Sequence, residues 1–256
     1  MKLMIKKVIP LILAMTMVFA FVACTGNDVP TDYLDSSNVV EASQLKDLLS
    51  DSKTVVIDGR SEEDYNKGHL KGAISLPASK LTISEPVNGL IAPKEQVEEA
   101  LSIRGISNDS NIYIYDNKNG IYAARIWWVL KVYGHENVKV IDGGELAIVE
   151  AMSESDLTME ATAVTPVSYT AKDADLSTYA SLDDVMAVVN SDDVSDVLII
   201  DARSAAENAE GSIPGSILYP HTNNTNEDGT FKSPWEIYLD YQDKGFERED
   251  EIYVYC

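Results

Sequence analysis

Cysteine is nearly absent: there are 2 in 256 residues, Cys24 and Cys256. They could form at most one bridge, which excludes a disulfide scaffold and a four-thiolate zinc site. Basic charge is also scarce, with 20 Lys+Arg against 42 Asp+Glu and a formal net charge of −22. A chain of that sign offers no patch that neutralises phosphates, so nucleic acid and anionic membrane surfaces are poor partners. Histidine is limited to His69, His135 and His221. No pair of them has helical or hairpin ligand spacing, so no metal site is expected and solvated or turn-stabilising roles are assigned. Apolar residues are plentiful at 45%, which is enough for one or two globular domains and argues against disorder.

Long hydrophobic runs are missing with one exception. Residues 1–23 carry Lys2, Lys6 and Lys7 and no acid, then an apolar run from Val8 to Ala23 broken only by Pro10 and Thr16. That is the charged and apolar pair of regions of a secretory signal. It is short for a spanning helix, which needs about 20 apolar residues. The ending Phe21-Val22-Ala23-Cys24 before a polar stretch resembles a bacterial lipoprotein signal, with Cys24 as the lipidated residue. Its loss strips three lysines and no acid, so −22 becomes −25. The mature chain is then expected outside the cytoplasmic membrane, tethered through polar residues 24–37, with the lipid anchor as its only membrane contact.

The remainder is an imperfect repeat. Val55–Pro77 aligns without gaps on Leu198–Pro220, with identities at Asp58/Asp201, Arg60/Arg203, Ser61/Ser204, Gly68/Gly211, Gly72/Gly215 and Pro77/Pro220. These are turn and polar positions, not interchangeable aliphatics, so two homologous domains are the economical reading. A second match, Ile112–Asp116 with Ile252–Cys256, follows in the same order. Helical segments are expected at EASQLKDLL and SLDDVMAVV, with Ser43 and Ser181 as possible caps, and at KEQVEEALSIRG and IYAARIWWVLKVYG. Buried strands are expected at TVVID, VLIID, IYIYD, IYVY and VKVID. Strands alternating with helices predict an α/β fold, a doubly wound parallel sheet flanked by helices in each domain. Domain 1 is read as residues 38–150 and domain 2 as 181–256. The polar, aperiodic stretch 151–180 is read as the linker.

These motifs resemble a tandem rhodanese, the sulfurtransferase family that includes thiosulfate and 3-mercaptopyruvate sulfurtransferases. The resemblance rests on the two D-x-R strand ends, the Gly68-His69-Leu70-Lys71-Gly72-Ala73-Ile74 turn, YAARIWW, GHENVKVIDGG, EDGTFKSPWE and IYVYC. It implies two rhodanese-like domains and, at Cys256, the catalytic cysteine that takes a sulfane sulfur from a small-molecule donor as a persulfide and passes it to an acceptor. It implies no cofactor. The chemistry needs a thiolate, and loop N–H groups, a helix N-terminus or a cation would favour one. Asp116 stands at the corresponding position of the first domain and cannot carry a persulfide, so that domain is expected to be non-catalytic. The D-x-R residues at i and i+2 share a strand face. Asp58, Arg60 and Asp201 are read as structural ion-pair partners, and Arg203 as either structural or substrate-binding.

The sequence departs from the family in three ways. It stops at Cys256, before the loop, helix and strand that follow Asp116 in the first copy, so the second domain is expected to be incomplete and the sequence a fragment. Ala205-Ala206-Glu207-Asn208 replaces the arginine that often follows D-x-R, and Ser212 replaces the histidine of the G-H-I-P-G turn. With so acidic a chain, attraction of an anionic donor must be local, and activity is expected to rise with ionic strength. The competing reading is a catalytically silent rhodanese-fold binding module at the cell surface. A cysteine phosphatase on a related fold is a third.

Overall fold

The computed structural model describes residues 38–191, 197–247 and 250–256. The signal, Cys24 and the 24–37 tether lie outside them. The first copy runs β1 (Val39–Val40), α1 (Leu45–Leu48), β2 (Thr54–Asp58), α2 (Glu62–Lys67), β3 (His69–Leu70), β4 (Ile74–Ser75), β5 (Thr82–Ile83), β6 (Leu90–Ile91), α3 (Lys94–Ser102), β7 (Asn111–Tyr115), α4 (Ile121–Val132), β8 (Val138–Ile141), α5 (Gly144–Ala151) and β9 (Leu157–Thr158). The second runs α6 (Leu182–Val189), β10 (Val197–Asp201), α7 (Ala205–Glu210), β11 (Ile217–Leu218), α8 (Pro234–Asp243) and β12 (Glu251–Tyr255).

The first domain is a parallel five-stranded sheet in the order β1-β8-β7-β2-β4. Its strands are apolar runs rather than alternations because both faces are covered. Ile57, Ile112 and Ile114 point into one core with Val97 and Leu101 of α3 and Ile126 and Leu130 of α4. Val56 and Tyr115 point the other way, against Leu45, Leu70 and Ile148. Burying each such aliphatic side chain contributes about 1.5–3 kcal/mol before chain entropy is charged against it.

The helix starts follow their caps. Ser61 accepts from the Asp64 N–H at the head of α2, and Ser204 and Ser233 form reciprocal boxes with Glu207 and Glu236 at α7 and α8. Ser181 caps α6 as the sequence predicts. Ser43 does not cap: Glu41 is the N-cap of a single 3-10 turn, Ala42–Gln44, and α1 is only one turn long. A helix that short gains little from propensity and is held by the buried Leu45.

Residues 151–180 do more than join the copies. Leu157–Thr158 pairs antiparallel with His69–Leu70, and Tyr169 and Ala171 complete the core beneath α3 and α4. Chain that crosses a surface in extended form has no helical or strand period to betray it.

In the second domain β12 and β11 flank β10 in parallel. Asp201 is in register with Tyr255, as Asp58 is with Tyr115. The core there is small, Ile200 with Tyr219 and Phe246, and Tyr241 meets both rings edge-on at 5.0 and 5.3 Å. The two domains touch. The Phe231 N–H donates to Asp142 Oδ1 at 2.7 Å, and the Trp128 indole N–H donates to the Thr178 carbonyl of the connecting segment at 3.2 Å.

Candidate active site

Each copy builds the same frame where its central strands end. In the first, Arg60 Nε donates to both Asp58 carboxylate oxygens, at 2.9 and 3.1 Å, and its Nη2 to the Gly68 carbonyl at 2.7 Å. The Tyr115 hydroxyl donates to Asp58 Oδ2 at 2.6 Å, and the guanidinium also reaches Glu145. Burial is the largest single effect and opposes the Arg60 charge, but the Asp58 hydrogen bonds together with the Asp58 and Glu145 charges outweigh it and its pKa is raised. Burial, then the adjoining Asp58 charge, raises Tyr115 far above a free phenol. Tyr115 therefore stays a neutral donor.

The second copy repeats this with fewer walls. Arg203 Nε donates to Asp201 Oδ1 at 2.9 Å and Nη2 to the Gly211 carbonyl at 2.7 Å, while the Tyr255 hydroxyl donates to Asp201 Oδ2 at 2.9 Å. Asn208 adds a bond to Asp201 at 3.0 Å. The Arg203 hydrogen bonds, against the opposing effect of burial, hold the Asp201 carboxyl well below the ordinary carboxylate range.

Immediately after β7 stands Asp116, buried at 1% exposure. Its Oδ1 accepts the N–H groups of Lys118 and Gly120, at 2.9 and 3.0 Å, and its Oδ2 those of Tyr122 and Ala123, at 2.7 and 2.9 Å. Asn119 and Gly120, at φ 52° and 84°, curl the loop so that successive N–H groups converge, which makes an anion-binding nest. Tyr122 and Ala123 lie in the first turn of α4, where backbone donors have no partner within the helix. Gly144 is required beside it: its φ is +53°, and a Cβ there would press into the Asp116 carbonyl. The arrangement is a formed cradle for one negative charge, filled by a carboxylate.

Cys256 follows Tyr255 as Asp116 follows Tyr115, and its thiol is free and exposed. Arg125 of α4, in the other domain, places Nη2 3.7 Å from Cys256 Sγ. That arginine is steered by the Gly89 carbonyl, 3.3 Å from Nη1, and lies over the Trp128 ring at 5.4 Å. Beside β12 a cleft of about 680 Å³ opens between the domains, lined by Trp128, Tyr179, Asp184, Ile199, Tyr253 and Tyr255 among others.

The structure therefore gathers Asp58 with Arg60, and Asp201 with Arg203, into ion pairs at the two strand ends. Cys256 follows Tyr255, which is in register with Asp201 of the second pair, but the Arg203 guanidinium is engaged with Asp201 and Gly211. The histidines are apart and each is bonded locally: His69 to the Tyr65 carbonyl, His135 to the Ser110 carbonyl and Tyr169 hydroxyl, and His221 to the Ala202 carbonyl. Trp127 and Trp128 pack on the first core, and Trp128 also borders the cleft. Sequence reasoning passed over Arg125, although a lone charge among IYAARIWWV is a signal. It also passed over the tyrosine hydroxyls, which repeat at 115 and 255.

A family model described as "Rhodanese-like domain" matches residues 41–151 and 181–256. A protein of Mycolicibacterium smegmatis named "Putative thiosulfate sulfurtransferase" is 32% identical over 233 residues, 86% of this chain and 83% of that one. A protein of the same name from Saccharopolyspora erythraea is 32% identical over 215 residues, 78% of this chain and 75% of that one. Among solved structures, the 3-mercaptopyruvate sulfotransferase SseA of Escherichia coli superposes with a TM-score of 0.73 at 26% identity, covering 86% of this chain and 88% of that one.

Proposed function

The chain belongs to the rhodanese-like domain family, and on that premise we propose that it is a sulfurtransferase whose sulfur carrier is Cys256. One observation carries the reading. The residue after Tyr255 holds the register position at which the first domain rings an anion with four N–H groups, and here that residue is a thiol. A loop after Cys256 shaped like Lys118–Ala123 is required by the reading, and would hold a thiolate or persulfide as the first-domain loop holds Asp116.

With thiosulfate, the Cys256 thiolate attacks the outer sulfur. A new S–S bond forms, the bond to the sulfonate sulfur breaks, and its electron pair leaves with sulfite, so the cysteine becomes a persulfide anion. A thiophilic acceptor, cyanide or a thiolate, then attacks the outer sulfur and returns the Cys256 thiolate. Neither half needs a metal or organic cofactor. The names of the relatives support thiosulfate or 3-mercaptopyruvate as donor. Asp201 and Arg203 would hold the strand end on which the cysteine sits, as Asp58 and Arg60 hold that of the silent first domain.

The second reading, a silent binding module, is favoured by Asp116, which leaves the first copy without a nucleophile. Thiosulfate:cyanide and mercaptopyruvate:cyanide transfer, measured on protein expressed from its complete coding sequence, separates the two. Sulfur transfer lost in Cys256→Ser supports the enzyme, and equal rates in both proteins sink it. Reading the coding DNA past the Cys256 codon tests for the required loop. Export and lipidation at Cys24 belong to the same proposal and rest on the N-terminal sequence. Labelling with an alkyne-tagged fatty acid should mark wild type and not Cys24→Ser.

A further inference from the structure

The sulfur chemistry just proposed handles negative charge throughout, in the donor, the persulfide and the leaving group, yet the chain carries −22. A local cation is needed to offset that field. The second domain's strand-end cation, Arg203, is spent on Asp201. Lys232 is paired with Asp240 at 2.7 Å. The start of α7, Ala205-Ala206-Glu207-Asn208, carries none. The N-terminus of α4 is no substitute, because its first N–H groups are consumed by Asp116.

The described arginines differ in how their charge is met. Arg60 and Arg203 are bonded to carboxylates, and Arg104 is turned onto the carbonyls of Ser75 and Ala100. Arg125 has no carboxylate partner among the described residues. Its head is aimed by the Gly89 carbonyl and the Trp128 face, and its Nη2 meets Cys256 Sγ at 3.7 Å across 131 positions of sequence. A guanidinium held in that way keeps donors free for a sulfonate or carboxylate arriving at the sulfur.

We propose that Arg125, from the domain without a nucleophile, is a catalytic residue of the Cys256 site, binding the anionic head of the sulfur donor and the persulfide formed from it. The inference rests on the sulfurtransferase reading. It gives the first domain a chemical task, to carry to the site, on α4, a cation without a carboxylate partner among the described residues. It also makes the two domains one catalytic unit.

The test compares wild type, Arg125→Met and Arg125→Lys as full chains. Cys256 is alkylated with anionic iodoacetate and neutral iodoacetamide, and the Cys256 peptide is followed by mass spectrometry. Donor kinetics are measured in parallel. Arg125→Met should lower the iodoacetate-to-iodoacetamide rate ratio about tenfold and raise the donor KM by about 10- to 100-fold, the range for a charged hydrogen bond. Arg125→Lys should fall between, because it keeps the charge and loses the fork. Transfer by wild type together with an unchanged alkylation ratio in Arg125→Met overturns the inference and leaves the sulfurtransferase reading standing. Absence of Cys256-dependent transfer in wild type overturns that reading and the catalytic role with it. A ratio that falls in Arg125→Met and recovers partly in Arg125→Lys shows a charge effect, which misfolding of one variant would not reproduce.

Discussion

Ile112 and Ile114 of β7 are fully buried, whereas Ile252 and Val254, their counterparts on β12, are 36% and 65% exposed. The sequences are nearly the same, and so is the pairing: five residues of each strand align with the central strand of its sheet. What differs is the cover. In the first domain α4 lies over β7 and β8 pairs with its far edge. Among the described residues β12 pairs with β10 alone. Backbone pairing and the Asp–Arg–Tyr frame are therefore set strand against strand, and burial is decided by the elements laid on top.

The same contrast holds at the strand ends. Asp116 is enclosed by donors from its own loop, and Cys256 is met by a cation from the other domain. Breaking this contrast should give the largest effect. Asp116→Cys places a thiol in a cradle already formed, and N–H groups favour the thiolate over the thiol. We expect that variant to gain a second cysteine that reacts with iodoacetamide at neutral pH, absent in wild type, and to accept sulfane sulfur there, both read by peptide mass spectrometry.

Removing the strand-end carboxylates should sharpen the comparison. Asp58→Asn leaves Arg60, with a side chain 3% exposed, without its buried counter-charge and with only the 35% exposed Glu145 carboxylate to meet it. Breaking a buried pair costs about 3–5 kcal/mol. Asp201→Asn should cost less, because the Arg203 side chain is 24% exposed and water replaces part of the lost partner. Urea unfolding of both variants gives the order, and a greater loss in Asp201→Asn would contradict it.

The pH dependence follows from Asp201. Its folded pKa is depressed, so its stabilisation is full above the ordinary aspartate value of about 3.9 and is lost as pH falls below that toward the folded value. Asp201→Asn should flatten that acid limb in a urea titration repeated between neutral and acid pH.

The smallest effect belongs to the joint between the domains. Burial raises the Asp142 pKa, against the hydrogen bonds from the Phe231 and Gly143 N–H groups. Asp142→Ala strands the Phe231 donor and should cost about 1–3 kcal/mol, while Asp142→Asn keeps an acceptor and relieves the buried charge. Thermal unfolding should rank Asn above Ala, and equal loss in both would mean that the charge, not the acceptor, holds the joint.

Much of the first domain was legible. The segments read as helical at KEQVEEALSIRG and IYAARIWWVLKVYG contain α3 and α4, and VKVID contains β8, because each is long or apolar enough for its period to dominate. Helix α5 escaped notice: GELAIVEA begins at the second of two glycines and has a single buried residue, Ile148, so its apolar face is poorly marked. Ser43 misled because capping chemistry alone cannot say which of several polar residues the chain bends at. The extended crossing of 151–180, with Tyr169 buried in the core, carried no periodic sign at all.

The amino-acid sequence by itself determined the repeat, the α/β class, the Asp–Arg strand ends and the placing of Asp116 where the second copy has Cys256, because these depend on residue type and on neighbours a few positions away. Tertiary structure alone decided that four N–H groups converge on Asp116, that Arg203 is already engaged, and that Arg125 reaches Cys256. The first two arise within eight residues but need the loop to curl in a way that residue type does not state, and the third joins positions 131 apart, which only the packing of helices against sheets decides.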